Sequence, residues 1–326
     1  VRRRTFVARG AAALAGLFGP MSALTAAAAS TVRISMPSPG SAGSIWKPLV
    51  DGEPAGAVPG VALEWVGGDP GQVQTQLLAH ALDVSVFGAL GAGEVNARGA
   101  GVVIFGAALN NHGRWIVRGG SGYRAPRDVR GKRIATQPET SDTYRQARIA
   151  AALNGLDLAR DYQIVHGPSS ANLALFARGD VEAVIAIEPT ATRLVAAGAQ
   201  EIARVGDMWR HATGDGEPLL LVGHATTRPW FEANRPRAAA IARLLARVNE
   251  EIRARPQLLA EHHDAMGIPA AETAAIALLP SRLADIYAVG WTAAVQRSLD
   301  RQLDAAVKLG IIPRRPPEAV YADAVG

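Results

Sequence analysis

The side chains best equipped for chemistry in this 326-residue chain form one run, Glu139, Thr140, Ser141, Asp142 and Thr143, inside GKRIATQPETSDTYRQARIAAALNG at 131–155. An apolar strand pattern precedes the run and a helical pattern follows it. A helix start needs one capping side chain, and Thr140, Ser141 or Asp142 can each accept from the amides of the first turn. The others remain available to something else, and hydroxyls can either donate or accept.

Other chemistries find less support. The chain has no cysteine, which excludes disulfides, thiol nucleophiles and cysteine metal sites. Of the seven histidines (His80, His112, His166, His211, His224, His262 and His263), no two stand at the i, i+4 spacing of a zinc-protease helix. Adjacent His262 and His263 would point about 100° apart on a helix. There is no Gly-x-Ser-x-Gly elbow and no Walker phosphate loop. Glu139 and Glu188 could pair as two carboxylates across a cleft, but nothing beside them supports glycoside hydrolysis. Neither a cofactor nor a metal is expected.

The elements that must position the polar run alternate short β-branched segments with helical ones, as in an α/β chain with a parallel sheet covered by helices. Strands are expected at 31–35, 61–66, 84–87, 102–105, 133–136, 162–165 and 181–187, and again in LLLVG after Pro218. Helices are expected at 72–80, 141–154 and 169–177. From Arg235 onward the chain reads as helical: Ile241, Leu244, Leu245, Val248 and Ile252 mark one buried face, and Arg243, Arg247, Glu250 and Arg253 a solvated one. QLLAHALDVSVFGA and LALFARGDVEAVIAIEP both run from an apolar helix through an Asp-Val pair into a buried strand, an echo of shared architecture.

Residues 1–29 have the three parts of an export signal: basic residues, an apolar run and Ala27-Ala28-Ala29 before Ser30. Arg3 and Arg4, followed by Thr5 and two apolar residues, fit a twin-arginine pattern, with an ordinary secretory route as the alternative. Removal near Ala29 would leave 30 basic against 29 acidic residues, so the net charge of +5 belongs almost wholly to that segment. A nearly neutral remainder offers no field for nucleic acid or an anionic membrane surface.

DVRGKRIATQPETSDTYRQARIAAALNGLDLARDYQIVH followed by ALFARGDVEAVIAIEP resembles the second lobe of periplasmic solute-binding proteins of the nitrate, sulfonate, taurine and thiamine-precursor group, which serve ABC importers. The resemblance covers most of residues 31–310. It implies a two-lobed type II periplasmic binding protein fold with a ligand cleft between lobes. Lobe 1 would comprise 30–115 plus 224–326 and lobe 2 would comprise 116–223, with a hinge near Trp115 to Arg118 and Leu219 to Gly223. It also implies that Thr140, Ser141, Asp142 and Thr143 face the cleft, where helix amides favour an anionic or polar group.

Within that frame, Ser38 and Ser41 follow the first strand, either as cleft residues or as part of a Pro-Gly turn. Trp46 either walls a pocket or fills the core. Gly88 permits close backbone approach or a tight bend. Asn110 offers an amide to a ligand or to a turn, and Glu188 keeps the acid of the family's Asp-Pro turn without the aromatic that follows it in relatives. Glu139 and Asp142 would oppose a sulfonate or nitrate unless turned away or paired, so an uncharged or cationic ligand stands beside an anionic one.

The expected function is therefore that of an exported, monomeric binding protein, not an enzyme, delivering a small polar molecule to ABC permease subunits by cleft closure. A secreted pyrimidine-synthase-like enzyme and a ligand-sensing adaptor for a receptor kinase are the alternatives.

Overall fold

The structure, a computed structural model, describes residues 30–52, 58 and 61–324. The expected export signal at 1–29 lies outside the described residues.

Two layers of strands carry the fold. β1 (Ser30–Pro37) and β2 (Val61–Gly68) pair in parallel. β1 reaches β3 (Ser85–Phe87) through an Ile34–Val84 bridge, where Ser35 N donates to Val84 O at 3.0 Å. β3 and β4 (Val102–Asn110) flank β10 (Leu220–Thr227), which is antiparallel to both. The first layer thus runs β2-β1-β3-β10-β4. The second runs β7-β6-β8-β5-β9, from β5 (Arg114–Val117), β6 (Arg133–Thr136), β7 (Gln163–His166), β8 (Ala183–Ala186) and β9 (Gln200–Arg204). There β6 is parallel to β7 and β8, whereas β5 is antiparallel to β8 and β9.

The expectation of a parallel sheet therefore fails at one strand in each layer, β10 in the first and β5 in the second. Both are strands by which the chain arrives from the other layer, so no βα crossover constrains them to run parallel.

The first layer carries α1 (Trp46–Asp51), α2 (Pro70–Leu78) and α3 (Ala89–Asn96). With the second go α4 (Asp142–Leu153), α5 (Leu158–Asp161), α6 (Ser169–Arg178), α7 (Thr190–Ala196) and α8 (Val205–Thr213). After β10 come α9 (Arg228–Ala233), α10 (Arg235–Ala254), α11 (Leu258–Glu261), α12 (Thr273–Leu283) and α13 (Ala293–Lys308). The echo in the sequence corresponds to α2 leading into β3 and α6 into β8, each strand third in its layer. α10 turns Ile241, Leu244, Leu245, Val248 and Ile252 inward against β4 and leaves Arg243, Arg247, Glu250 and Arg253 exposed. β4 is buried from Val102 to Leu109, as a strand covered on both faces must be.

The segments expected as hinge, Trp115 to Arg118 and Leu219 to Gly223, fall largely within β5 and β10, each hydrogen-bonded on both sides. The chain crosses between layers earlier in both cases, at 111–113 and at 214–219. The crossings touch: Asn111 N donates to Leu219 O at 2.6 Å. Gln146 of α4 ties them further, accepting from Asn111 Nδ2 at 2.7 Å and donating to Leu220 O at 2.8 Å and to Gln302 Oε1 of α13 at 2.9 Å. No helix among the described residues is long and apolar enough to cross a membrane.

Candidate functional site

A cavity of about 810 Å³ lies between the layers, within the range of roughly 300–1,000 Å³ of small-molecule sites. Helix starts build its walls. Pro70, Gly71 and Gln72 open α2, Thr140 and Ser141 precede α4, Ser169 and Ser170 open α6, and Thr190 opens α7. Ser38 and Ser41, in the loop after β1, complete the ring.

Local sequence explains these starts. Pro70 stands where a missing amide hydrogen costs nothing and φ is already helical. Ser141 is the cap of α4: its Oγ accepts from Tyr144 N at 3.2 Å and donates to Pro138 O at 2.7 Å. α6 follows Pro168 and has no capping side chain, so its first-turn amides remain available. Three helix N-termini of eight residues or more thus present partial positive charge and hydroxyls to one space. None of its lining residues among the described residues is aromatic.

Two charged residues line it. Asp69 is exposed at the start of α2. Arg193 of α7 is held from α12 by Glu272, with Nε donating to Oε2 at 2.7 Å and Nη2 to Oε1 at 2.5 Å. The hydrogen bond and charge of Arg193 outweigh burial and hold the Glu272 carboxyl below its ordinary range.

A smaller void of about 40 Å³ is lined by Ser41, Trp46, Ser141, Asp142, Thr143 and apolar side chains that include Val86, Leu109 and Leu221. Asp142 is buried and accepts from Gln74 Nε2, Gly88 N and Gly91 N. His112 also lines this void, and burial holds it neutral, with a pKa of about 4. His224, buried beside Trp46, is pushed lower still, to about 3, by the same cause.

The structure distributes the expected site residues unevenly. Ser38, Ser41, Thr140 and Ser141 line the large cavity, and Ser41 and Ser141 also reach the small void. Trp46, Asp142 and Thr143 meet only the void. Trp46 is a core residue, its Nε1 donating to Asn249 Oδ1 at 2.9 Å. Gly88 gives its amide to Asp142 at 2.8 Å.

Three expected residues, Gly88, Asn110 and Glu188, are brought to neither space. Asn110 donates to Asp285 O at 3.2 Å. Glu188, wholly buried, accepts from Thr192 N at 2.9 Å, Thr192 Oγ1 at 2.6 Å and Arg282 Nη2 at 3.0 Å. Of the two carboxylates that would oppose an anion, Glu139 is exposed and lines neither space, and Asp142 is paired.

Sequence reasoning missed Arg193, Gln72, Ser169, Ser170 and Thr190. The signal was present in Asp69-Pro70-Gly71-Gln72 and Pro168-Ser169-Ser170, which are polar helix starts of the kind recognised at Thr140.

Among solved structures, the chain is similar to the alkanesulfonate-binding protein SsuA from Xanthomonas axonopodis pv. citri bound to MOPS. The TM-score is 0.71 at 18% identity, covering 90% of this chain and 98% of that one. It is similar also to the periplasmic aliphatic sulphonate binding protein SsuA from Escherichia coli, with a TM-score of 0.68 at 19% identity over 88% and 89% of the two chains. The ligand-binding component of an ABC-type import system from Staphylococcus aureus, with zinc bound, gives a TM-score of 0.68 at 9% identity over 90% and 97%. At such identities the likeness speaks for the fold, a mixed α/β fold of the two-lobed type II periplasmic kind. No curated protein matches the sequence. A family model, described as ABC transporter, phosphonate, periplasmic substrate-binding protein, matches residues 65–256, more than half of the chain. By that match the chain belongs to the family of phosphonate-type periplasmic substrate-binding proteins of ABC transporters.

Proposed function

We propose that this protein carries a small organic molecule with a tetrahedral oxyanion head, of sulfonate or phosphonate type, to the permease subunits of an ABC importer by closing its two lobes around it. The observation that carries this reading is the convergence of the N-terminal ends of α2, α4 and α6, with the hydroxyls of Thr140, Ser141, Ser169 and Ser170, on one cavity that also holds the Arg193 guanidinium. Helix N-termini and hydroxyls stabilise an anion without a large ordering cost, and a guanidinium matches two of its oxygens.

An aromatic pyrimidine, the ligand of the thiamine-precursor branch, is less well served, because a flat heterocycle gains much of its affinity by stacking and no aromatic side chain among the described residues lines the cavity. The protein is a monomer and not an enzyme in this reading, exported with cleavage near Ala29, the twin-arginine pair serving as the signal. Lobe 1 then comprises the layer containing β10 and lobe 2 the layer containing β5.

Native mass spectrometry of the mature protein purified from its host, followed by denaturation and identification of the released compound, tests the proposal. An intact sulfonate or phosphonate is the expected result. A chemically altered product or a pyrimidine overturns it. If the protein emerges empty, calorimetric titration with methylphosphonate and a short alkanesulfonate decides, and failure of both to bind rejects the oxyanion.

A further inference from the structure

Asp142 opens α4 in the second half of the molecule, yet its carboxylate is bonded to the first half. Oδ2 accepts from Gln74 Nε2 and from Gly88 N, both at 2.8 Å, and Oδ1 accepts from Gly91 N at 2.7 Å. Gly88 is the N-cap of α3 and Gly91 lies in its first turn, so the carboxylate sits against the positive end of that helix. On the same two helices Arg145 Nη2 donates to Glu94 Oε2 at 2.5 Å. Separating the halves breaks all of these contacts.

The backbone around the carboxylate is shaped to admit it. A Cβ on Gly91 would stand 2.9 Å from Asp142 Oδ2 and 3.0 Å from Oδ1, and one on Gly88 would stand 2.5 Å from Asp142 Cγ. Neither glycine has a positive φ. At Gly91 every close atom belongs to Asp142, so the approach of this carboxylate, rather than backbone conformation, is what calls for glycine there. The adjoining void of about 40 Å³ has room for little more than a few water molecules.

We infer that Asp142 is an internal anion, docked at α3 where a ligand's oxyanion could otherwise seat, and that it favours the joined arrangement of the two halves. A second anion beside a carboxylate whose donors are already taken meets repulsion at low dielectric. The charged end of any ligand is thereby kept in the large cavity, a consequence that rests on the oxyanion reading above. Asp142 thus contributes to closure directly and to specificity by exclusion.

The test uses the mature protein with no ligand added, read by small-angle X-ray scattering and by hydrogen exchange at the Gly88 and Gly91 amides. In the unaltered protein both amides are expected to be protected. Asp142→Ala removes the anion. Gly91→Ala evicts it while placing a better helix former in α3, which keeps the test valid if the first variant folds poorly. Each variant should enlarge the radius of gyration and speed exchange at both amides by about tenfold or more, the scale of one lost charge-assisted hydrogen bond. Unprotected amides in the unaltered protein, or variants with unchanged exchange, overturn the inference. These readings involve no ligand, so a wrong ligand class leaves them intact. Methylphosphonate titration then reads the exclusion: tighter binding to Asp142→Ala than to the unaltered protein supports it, and equal or weaker binding rejects it.

Discussion

Arg282 Nη2 of α12 donates to Glu188 Oε1 at 3.0 Å, joining a helix that follows the second crossing to the end of β8, 94 residues earlier. The same Nη2 also donates to Glu201 Oε2 at 2.7 Å, and Arg114 Nε stands 3.6 Å from Glu188 Oε1. Burial works against charge on both guanidiniums. It prevails at Arg114, whose pKa is lowered, whereas at Arg282 the two glutamates outweigh it and the pKa is raised. Glu188→Ala leaves buried Arg114 and half-buried Arg282 to share Glu201 with Arg204, so the loss should approach the roughly 3–5 kcal/mol of a broken buried pair. Urea unfolding monitored by tryptophan fluorescence measures it. A change below about 0.5 kcal/mol, the level of an ordinary surface substitution, would mean that the cluster contributes little.

The two buried histidines set an acid limit. His112 and His224 are held neutral by burial, with pKa values of about 4 and about 3, while in the unfolded chain each titrates near 6.5, roughly. Below about pH 6.5 the unfolded chain therefore binds protons that the folded one refuses, and stability falls as pH drops from there toward each folded pKa. His224→Gln should reduce the slope of unfolding free energy against pH by about one proton across that window. Denaturant midpoints collected from pH 7 to pH 4 give the slope, and a curve parallel to that of the unaltered protein refutes the assignment.

Thr140→Ala combined with Ser141→Ala should weaken phosphonate or sulfonate binding by about 1–3 kcal/mol, since each loses a hydroxyl that lines the cavity. Ser141 also caps α4, so its loss carries a separate stability cost of about 0.5–2 kcal/mol. Thr140→Ala alone isolates the effect on the ligand. Calorimetry and thermal unfolding on the two variants and the unaltered protein separate the two contributions.

Arg193→Gln should lower affinity for the same anions by about tenfold, the scale of one charge-assisted hydrogen bond. Glu272→Gln should instead preserve or raise affinity, because it frees a guanidinium that now spends Nε and Nη2 on a carboxylate. Equal losses in both variants would indicate that the ion pair merely braces the wall.

Much of the architecture was legible in the sequence. Strand β6 and helices α4 and α10 lie where apolar periodicity placed them. A pattern of apolar residues records which face is buried but not the direction of the neighbouring strand, which is why the antiparallel β5 and β10 escaped it. The hydroxyls at Thr140 and Ser141 were visible because a helix start has a local signature. What Asp142 does was not, because its partners Gln74, Gly88 and Gly91 lie at least 51 residues away and on the other layer. Arg193 was equally silent: an arginine on a short helix has no signature, and its position follows only from the packing of α7 on α12.

The bond from Asn111 N to Leu219 O and the Gln146 amide that spans both crossings lace the two connecting segments into a single ribbon. Two independent tethers would permit the halves to shear, twist and tilt. A laced ribbon is stiff within its own plane and bends across it, which reduces relative movement to one degree of freedom, like a leaf hinge. Since Gln146 sits one turn beyond Asp142 on α4, a tilt of that helix is also a pull on the lacing. A permease meeting this protein would then face shapes that differ along one bending coordinate.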